Sequence, residues 1–263
     1  MKIHALMENT AYSPEFKAEH GLSLYIEADG LKILFDTGQS SDFSINAELL
    51  GVDISKVDFA VLSHGHYDHG NGIPKFLELN SHAPVYISDF AFGEYYNAKD
   101  KYIGLYDSLK GNKRLVKAGD FLKINENISI SSCREMKYVV PLDTAGLTEI
   151  VDGEKRPDRF LHEQYLSIRE GNKSILISGC SHRGILNIMN AFKPDILIGG
   201  FHFMKQEIID GKNITLDKSA HKLMEYDTEY YTCHCTGVEQ YNYISSIMGE
   251  RLNYLASGQV IEI

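Results

Sequence analysis

The 263-residue sequence predicts a mixed α/β fold in which strand ends carry histidines to one shared edge. Short apolar runs bounded by turn residues read as buried strands, and in the second half they alternate with stretches of helical periodicity. Four of these runs are followed by His64, His182, His202 and His234. Because sites in sheet proteins collect at strand ends, we expect these four side chains to lie near one another.

The first half of the chain is rich in predicted strands. Residues 21–38, "GLSLYIEADGLKILFDTG", predict two strands around an Asp29-Gly30 turn, since Asp-Gly is a hairpin signal. Residues 120–132 predict a second strand pair. Between these pairs, "GIPKFLELN" (72–80) predicts a helix with proline in its first turn.

The second half predicts strands and helices in turn. Strands are predicted within "KSILISGCS" (173–181), "PDILIGGF" (194–201) and "EYYTC" (229–233). Helical stripes of apolar residues occur in "RGILNIMNAF" (183–192), "SAHKLMEY" (219–226) and "QYNYISSIMGERL" (240–252). No repeat or low-complexity linker divides the chain, so residues 1–263 are expected to form a single domain.

Composition excludes several classes of partner. The net charge of −10 disfavours nucleic acid and anionic membranes, which bind an excess of Lys and Arg. The first 20 residues lack the apolar core of a signal peptide, and no run approaches the roughly 18 apolar residues of a membrane span. Four cysteines are too few for a disulfide framework. We expect a cytoplasmic protein with reduced thiols.

Residues 61–72, "VLSHGHYDHGNG", contain an H-x-H-x-D-H cluster directly after an apolar run. Alternate residues of an extended stretch point the same way, so His64 and His66 can share one metal ion. Asp68 and His69 follow at a turn and can reach a second ion. Imidazole and carboxylate are ligands that zinc accepts, whereas a His-rich surface turn is the alternative interpretation.

The cluster and "ILFDTG" (33–38) resemble motifs of the metallo-β-lactamase superfamily. Further segments between residues 18 and 237 resemble its branch named for 7,8-dihydropterin-6-methyl-4-(β-D-ribofuranosyl)aminobenzene-5′-phosphate synthase: "AEHGLSLYIE", "FDTGQS", "HEQYLSI", "ISGCSHRGILNI", "IGGFH" and "CHCTG". The resemblance implies a four-layer αβ/βα sandwich with a metal site at one edge between two sheets.

The resemblance also implies the metal ligands. His64 and His66 match ligands of the first metal, and Asp68 and His69 match those of the second. His234 matches the carboxyl-terminal histidine ligand. Asp36 would brace the metal loop without binding metal.

One ligand position departs from the superfamily pattern. The usual histidine falls near His162-Glu163, and the usual bridging aspartate falls on Cys180. We expect His182 to supply the missing ligand, with Glu163 and Cys180 as alternatives. His182 could instead cap the following helix, and Cys180 could be a small buried residue.

Other residues are candidates for the substrate site. His202 is expected to contact the substrate or support a ligand, with plain packing as the alternative. His20 either lines the pocket or lies in a surface loop. In segment 93–109, four tyrosines could stack on a flat substrate or form a lid, whereas ordinary packing or a subunit contact is the alternative: Tyr95, Tyr96, Tyr102 and Tyr106.

These features predict a dinuclear metal-dependent hydrolase of a small phosphate-type or other ester. Two divalent ions, zinc or alternatively manganese or iron, would activate a metal-bridging hydroxide that Asp68 orients. The branch resemblance implies an alternative, a transferase that condenses a dihydropterin diphosphate with an aminobenzene ribofuranosyl phosphate. The imidazole-only first site disfavours a diiron oxidoreductase, and the charge disfavours a nuclease. The predicted partner is a small-molecule substrate; homo-oligomer formation stays open.

Overall fold

The computed structural model describes residues 1–263, which form seventeen β-strands and six α-helices. The strands are β1 (Lys2–Met7), β2 (Ser23–Ala28), β3 (Leu31–Phe35), β4 (Phe59–Val61), β5 (Val85–Ile87), β6 (Glu94–Tyr96), β7 (Leu115–Lys117), β8 (Phe121–Lys123), β9 (Ile128–Ser131), β10 (Thr148–Val151), β11 (Glu154–Pro157), β12 (Tyr165–Glu170), β13 (Lys173–Ile177), β14 (Ile196–Ile198), β15 (Glu229–Thr232), β16 (Leu252–Tyr254) and β17 (Val260–Glu262). The helices are α1 (Phe43–Leu49), α2 (Tyr67–Gly70), α3 (Ile73–Leu79), α4 (Ile185–Phe192), α5 (Ile214–Leu223) and α6 (Val238–Met248).

The strands form two seven-stranded sheets and one small sheet. The first sheet has the order β17-β1-β2-β3-β4-β5-β7, and the second has the order β16-β15-β14-β13-β12-β9-β8. Strands β3, β4, β5 and β7 are parallel, as are β13, β14, β15 and β16. The small sheet, β11-β10-β6, is antiparallel.

The two large sheets pack face to face, and helices cover both outer faces. A core of 21 buried apolar residues lies between the sheets. Ile33 and Phe35 of β3 point into it, whereas Leu34 points outward to the cluster that includes residues of α1 and α3. Leu176 of β13 likewise points outward toward α4, α5 and α6. This period-two alternation produces the four-layer αβ/βα sandwich that was expected.

Most predicted elements are present, with shifted helix boundaries. The hairpin of β2 and β3 turns at Asp29 and Gly30, whose φ angles of 51° and 74° suit an Asp-Gly turn. Helix α5 begins five residues before its predicted start at position 219, because the Asn213 side chain accepts a hydrogen bond from the Leu216 amide and caps it. Helix α6 ends at Met248 rather than at residue 252, which opens β16. No helix has the length and apolar character needed to cross a membrane.

Candidate metal centre

The carboxyl ends of the parallel strands carry the predicted site residues to one edge. Strand β4 ends two residues before Ser63, and the following loop and α2 contain the whole H-x-H-x-D-H cluster. The loop is pressed against its surroundings, since a Cβ on Gly65 would overlap the Ala91 carbonyl. The Gly65 amide donates a hydrogen bond of 2.9 Å to Nδ1 of His162. Close packing therefore fixes the path of this loop.

Three buried imidazoles form a first group, which we call the first trio: His64, His66 and His182. The Nε2 atoms of His64 and His182 are 3.2 Å apart. Burial and then neighbouring imidazoles hold the pKa of both rings well below the ordinary value, and they lower the pKa of His66 to about 3. Nε2 of His66 and Nδ1 of His182 are buried without a hydrogen-bond partner. Neutral rings with free lone pairs are suited to metal binding.

A second group, the second trio, consists of Asp68, His69 and His234. Nε2 of His69 lies 3.2 Å from Nε2 of His234, and Oδ2 of Asp68 lies 3.3 Å and 3.8 Å from these two atoms. Burial lowers the pKa of His234 to about 4. Burial opposes ionisation of Asp68 and His69 too, but neighbouring groups outweigh it: first Asp36 and then Asp68 for His69, and first His69 and then His20 and His234 for Asp68. The pKa of Asp68 is therefore well lowered and that of His69 is raised.

Neighbouring side chains fix which nitrogen of each ring faces the centre. His69 donates from Nδ1–H to Oδ2 of Asp36 over 2.6 Å, and His234 donates from Nδ1–H to Oδ1 of Asn9 over 2.8 Å. The Ser63 hydroxyl donates to Asp36, so it accepts from Nδ1–H of His64. In its neutral form each of these rings therefore carries its lone pair on Nε2, which is how partners around metal sites orient histidine ligands. Asp36 holds the loop as expected.

The candidates for the missing ligand differ in the hydrogen bonds that their side chains already form. Glu163 accepts hydrogen bonds from the amides of His182 and Arg183 and from the Tyr165 hydroxyl, so its carboxylate holds the turn and is not part of a candidate metal group. His162 uses both ring nitrogens, accepting from Gly65 and donating to Asp158.

His182 belongs to the first trio and its side chain does not cap α4. Sγ of Cys180 lies 3.2 Å from Nε2 of His69. The structure thus leaves His182 and Cys180, but not Glu163, within reach of a metal ion. Which of them binds metal stays a prediction.

The two trios fit divalent ions. Bonds of about 2.0–2.1 Å to a tetrahedral zinc ion place two ring nitrogens about 3.3 Å apart, close to the 3.2 Å separations within each trio. Buried lone pairs that face one another repel unless a cation or a proton lies between them. The chemistry of the donor set therefore matches a divalent metal centre.

The trios open into a cavity of about 210 Å³, which we call the metal cavity. His20 lines this cavity, with its Nε2 3.2 Å from Oδ2 of Asp68, and it also lies in an exposed loop, so both of its predicted positions apply. The remaining lining residues are His66, Tyr67, Asp68, Asn97, Ile103, Leu147, Cys180, His182, His202, Met204, Lys205, His234 and Cys235.

The tyrosines of segment 93–109 do not have the position expected for substrate stacking. None of the four lines the metal cavity, to which the segment contributes Asn97 and Ile103 instead. Tyr95 is buried against His162 with ring centres 4.0 Å apart, and its hydroxyl donates to the Phe90 carbonyl. Packing, the alternative interpretation, describes Tyr95. The aromatic ring that does line the cavity belongs to Tyr67.

His202 lies between the metal cavity and a neighbouring cavity of about 300 Å³, which we call the side cavity. Its ring packs edge-on to His182 at 4.3 Å, and burial followed by the charge of Lys205 lowers its pKa to about 4. His182, His202 and Lys205 line both cavities. The side cavity adds Lys218 and apolar side chains such as Phe203. A substrate could therefore extend from one cavity into the other past His202.

Three supporting residues escaped the sequence analysis. Ser63 orients His64, Asn9 orients His234, and Glu8 accepts a 2.6 Å hydrogen bond from the His234 amide. Ser63 adjoins the histidine cluster, which is a usable signal. Asn9 and Glu8 lie 225 and 226 positions from His234, and no local pattern connects them to it.

Comparisons with known proteins agree with this architecture. A protein of Methanocaldococcus jannaschii named uncharacterized protein MJ0448 is 31% identical over 93% of this chain and 94% of its own length. The 7,8-dihydropterin-6-methyl-4-(β-D-ribofuranosyl)-aminobenzene-5′-phosphate synthase of the same organism is 27% identical over 100% of this chain and 96% of its own. The crystal structure of Tm1679, a metal-dependent hydrolase of the β-lactamase superfamily, superposes with a TM-score of 0.80 at 28% identity, covering 100% of this chain and 99% of that one. The family model of the metallo-β-lactamase superfamily matches residues 17–210, and the chain belongs to that superfamily.

Proposed function

We propose that this protein is a dinuclear metal-dependent hydrolase of small phosphate-type or other esters. The observation that carries the proposal is the pair of donor trios, which lie side by side at the sheet edge and contribute four of their six side chains to the lining of one cavity. The similarity to Tm1679, described as a metal-dependent hydrolase, supports the same chemistry. Superfamily membership supports a metal-dependent enzyme but leaves the substrate open.

The two trios would each hold one divalent ion. His64, His66 and His182 would hold the first, and Asp68, His69 and His234 the second; zinc suits these donors, with manganese or iron as alternatives. Two ions there would supply Lewis acidity that activates water and neutralises charge on the attacked group.

The side chains of the protein would carry out the remaining steps. The close contacts of Asp68 with His20, His69 and His234 all use Oδ2. Its Oδ1 therefore stays available to orient a water molecule and accept a proton. His202, on the rim of both cavities, would contact the bound substrate.

The side cavity favours a substrate with a second anionic group. Lys205 and Lys218 form no salt bridge, and Lys205 donates only to the Ala145 carbonyl, over 3.0 Å. One carboxylate, Asp143, shares this cavity. Two free cations beside apolar walls would accommodate a phosphate or carboxylate on an organic body, although the chain as a whole has a net charge of −10.

Metal-dependent hydrolysis of model esters tests the proposal. We expect protein stripped by a chelator to be inactive on bis(p-nitrophenyl) phosphate and p-nitrophenyl phosphate, and zinc or manganese to restore activity on at least one. Asp68→Asn should lower kcat by about 100-fold or more, whereas His82→Gln, at an exposed position outside the site, should change nothing. Equal activity before and after stripping would reject a metal-dependent hydrolase.

A matched pair of substrates tests the side cavity. Lys218→Met should raise KM about tenfold for 4-carboxyphenyl phosphate and leave KM for phenyl phosphate unchanged. Lys222→Met is the control, because this lysine lies on the same helix, outside the cavity, and pairs with Glu225. The same KM change for both substrates would contradict an anion site.

A transferase is the second candidate. Its support is the 27% identity to the synthase over the whole chain. In this reaction a metal centre would activate a diphosphate leaving group while the amine or ring carbon of the second substrate attacks. Incubation with a dihydropterin diphosphate and an aminobenzene ribofuranosyl phosphate should then release diphosphate only when both substrates are present. Release that does not require the second substrate would favour hydrolysis.

A further inference from the structure

Cys180 lies between the two trios. Its Sγ is 3.2 Å from Nε2 of His69, and it forms with His64 and His69 a group whose ligand atoms all lie within 4.8 Å of one another. His64 belongs to the first trio and His69 to the second. The side chain is only 3% exposed. Among the candidate metal groups of the chain, this one alone joins members of both trios.

The turn after β13 leaves little freedom for this thiol. A Cβ on Gly179 would overlap the Ser63 hydroxyl, so the turn lies directly against the loop that carries His64. The Gly200 amide donates to the Gly179 carbonyl over 2.8 Å, and Ser181 has a φ of 56°. The contact with Ser63 and the hydrogen bond from Gly200 therefore hold the turn that carries Cys180 against the centre.

The number of ligands that each metal ion would have indicates a role for the Cys180 thiol. Each trio offers three side chains, whereas zinc in proteins is commonly four-coordinate. With bonds of about 2.0 Å to nitrogen or oxygen and 2.3 Å to sulfur, tetrahedral neighbours lie about 3.3–3.6 Å apart. The measured separations around the second position are 3.2, 3.2, 3.3 and 3.8 Å, among the donor atoms of Asp68, His69, His234 and Cys180. One sulfur shared between the trios would give each ion a fourth ligand, and a water molecule could still bind because zinc in catalytic sites can expand to five ligands.

We propose that Cys180 is a ligand shared by the two metal ions, an inference that rests on the proposed dinuclear centre. The thiol would lose its proton to water in the metal cavity as the ions bind, and the thiolate would then serve as a ligand to both ions. Because thiolate is a soft ligand, the centre should favour zinc and cobalt(II) over manganese(II), which prefers oxygen ligands. The thiol would take the place that the superfamily resemblance assigns to a bridging aspartate.

Cobalt(II) substitution tests this directly, because a cobalt–thiolate bond produces a sulfur-to-metal charge-transfer band in the near ultraviolet. We expect the band in wild-type protein loaded with cobalt and its loss in Cys180→Ser. Cys133→Ser is the control, since Cys133 is a free cysteine outside every candidate metal group, and it should keep the band.

A second variant keeps the test valid if Cys180→Ser folds poorly. Cys180→Asp offers a bridging carboxylate, so it should bind two ions, lack the band, and lower the ratio of zinc to manganese affinity at least tenfold. A band that persists in either Cys180 variant, or two bound cobalt ions without a band in the wild type, would overturn the role of Cys180 alone. Wild-type protein that binds no cobalt, zinc or manganese would overturn the dinuclear centre itself.

Discussion

At the scale of single residues, Asp36 connects to two of the histidines of the centre, His69 directly and His64 through Ser63. Its carboxylate accepts hydrogen bonds from the Ser63 amide, the Ser63 hydroxyl and Nδ1–H of His69, over 2.6, 2.7 and 2.6 Å. It does so from a left-handed backbone conformation with φ of 59°. One buried side chain therefore sets the ring orientation of His69 directly and that of His64 through Ser63.

Replacing Asp36 by Asn should weaken metal binding without straining the backbone. Asn tolerates positive φ, but its amide group cannot accept from all three donors. We expect metal affinity to fall about 10- to 100-fold, as measured by competition with a chromophoric chelator. Asp29→Asn, at another position with positive φ but in an exposed turn, is the matched control. Unchanged affinity in Asp36→Asn would show that the ring orientation does not depend on this carboxylate.

The residues of the centre differ in how far the sequence could predict them. The H-x-H-x-D-H cluster is local, so His64, His66, Asp68 and His69 could be assigned together. The position of Cys180 between the trios depends on how two turns pack, so only the superfamily resemblance, which puts a bridging aspartate there, indicated it. The role of Glu163 was equally hidden, because its bonds to the amides at positions 182 and 183 exist only in the folded chain.

At the scale of elements, tight turns after parallel strands bring the two sheets' ligands together. Gly65 and Gly179 lie in such turns, and neither has room for a Cβ. Their φ angles are not positive, so their requirement for glycine is steric. The turn after β13 can approach the loop after β4 only because Gly179 lacks a side chain, whereas Gly65 lets that loop pack against Ala91.

Gly65→Ala should therefore both destabilise the protein and disturb the centre. We expect a loss of at least about 2 kcal/mol in the free energy of unfolding, because the new methyl group would overlap the Ala91 carbonyl. Gly111→Ala is the control: this glycine has a φ of 79° and open space around it, so it should lose only about 1 kcal/mol through backbone strain. Urea denaturation of metal-free protein measures both, and equal losses would contradict the steric argument.

The strands were easier to predict than the helix ends. Apolar runs of four to six residues marked β4, β13, β14 and β15, because strands covered on both faces are continuously hydrophobic. The start of α5 was missed because its first apolar residues, Ile214 and Leu216, alternate instead of following the helical spacing, and its cap, Asn213, also suits a loop.

At the scale of the whole molecule, one core joins both halves of the chain. The 21 residues between the sheets include side chains of β1, β2, β3 and β4 from the first sheet and of β9, β12, β13 and β14 from the second, which supports the proposal that residues 1–263 form a single domain. The metal centre lies at the edge of this core, where buried imidazoles replace apolar side chains. Stability and metal binding should therefore be linked through the protonation of those rings.

Metal-free protein should lose stability as the pH falls. The pKa values of His66, His202 and His234 are lowered to about 3, 4 and 4, so the folded protein keeps these rings neutral at about pH 5. The unfolded chain, with imidazole pKa values of about 6.5, then binds more protons, and stability present above pH 6.5 is lost toward pH 4. The raised pKa values of His69 and Glu163 act in the opposite direction, but burial lowers the pKa of His64 and His182 as well, so the lowered histidines outnumber these two groups.

Thermal unfolding at about pH 7.5 and 5 measures this effect. We expect a lower melting temperature at the lower pH, and a smaller difference in His202→Gln than in the exposed control His82→Gln. Equal pH dependence in the two variants would show that neutral burial of His202 does not contribute.

The most direct test of the central claim is the metal content of protein purified without a metal-affinity tag, measured by elemental analysis. The two donor trios predict about two zinc, manganese or iron ions per chain, with at least one lost in His182→Ala. A wild-type protein that holds no metal, even after incubation with excess zinc or manganese, would contradict the dinuclear centre and with it the proposed hydrolase.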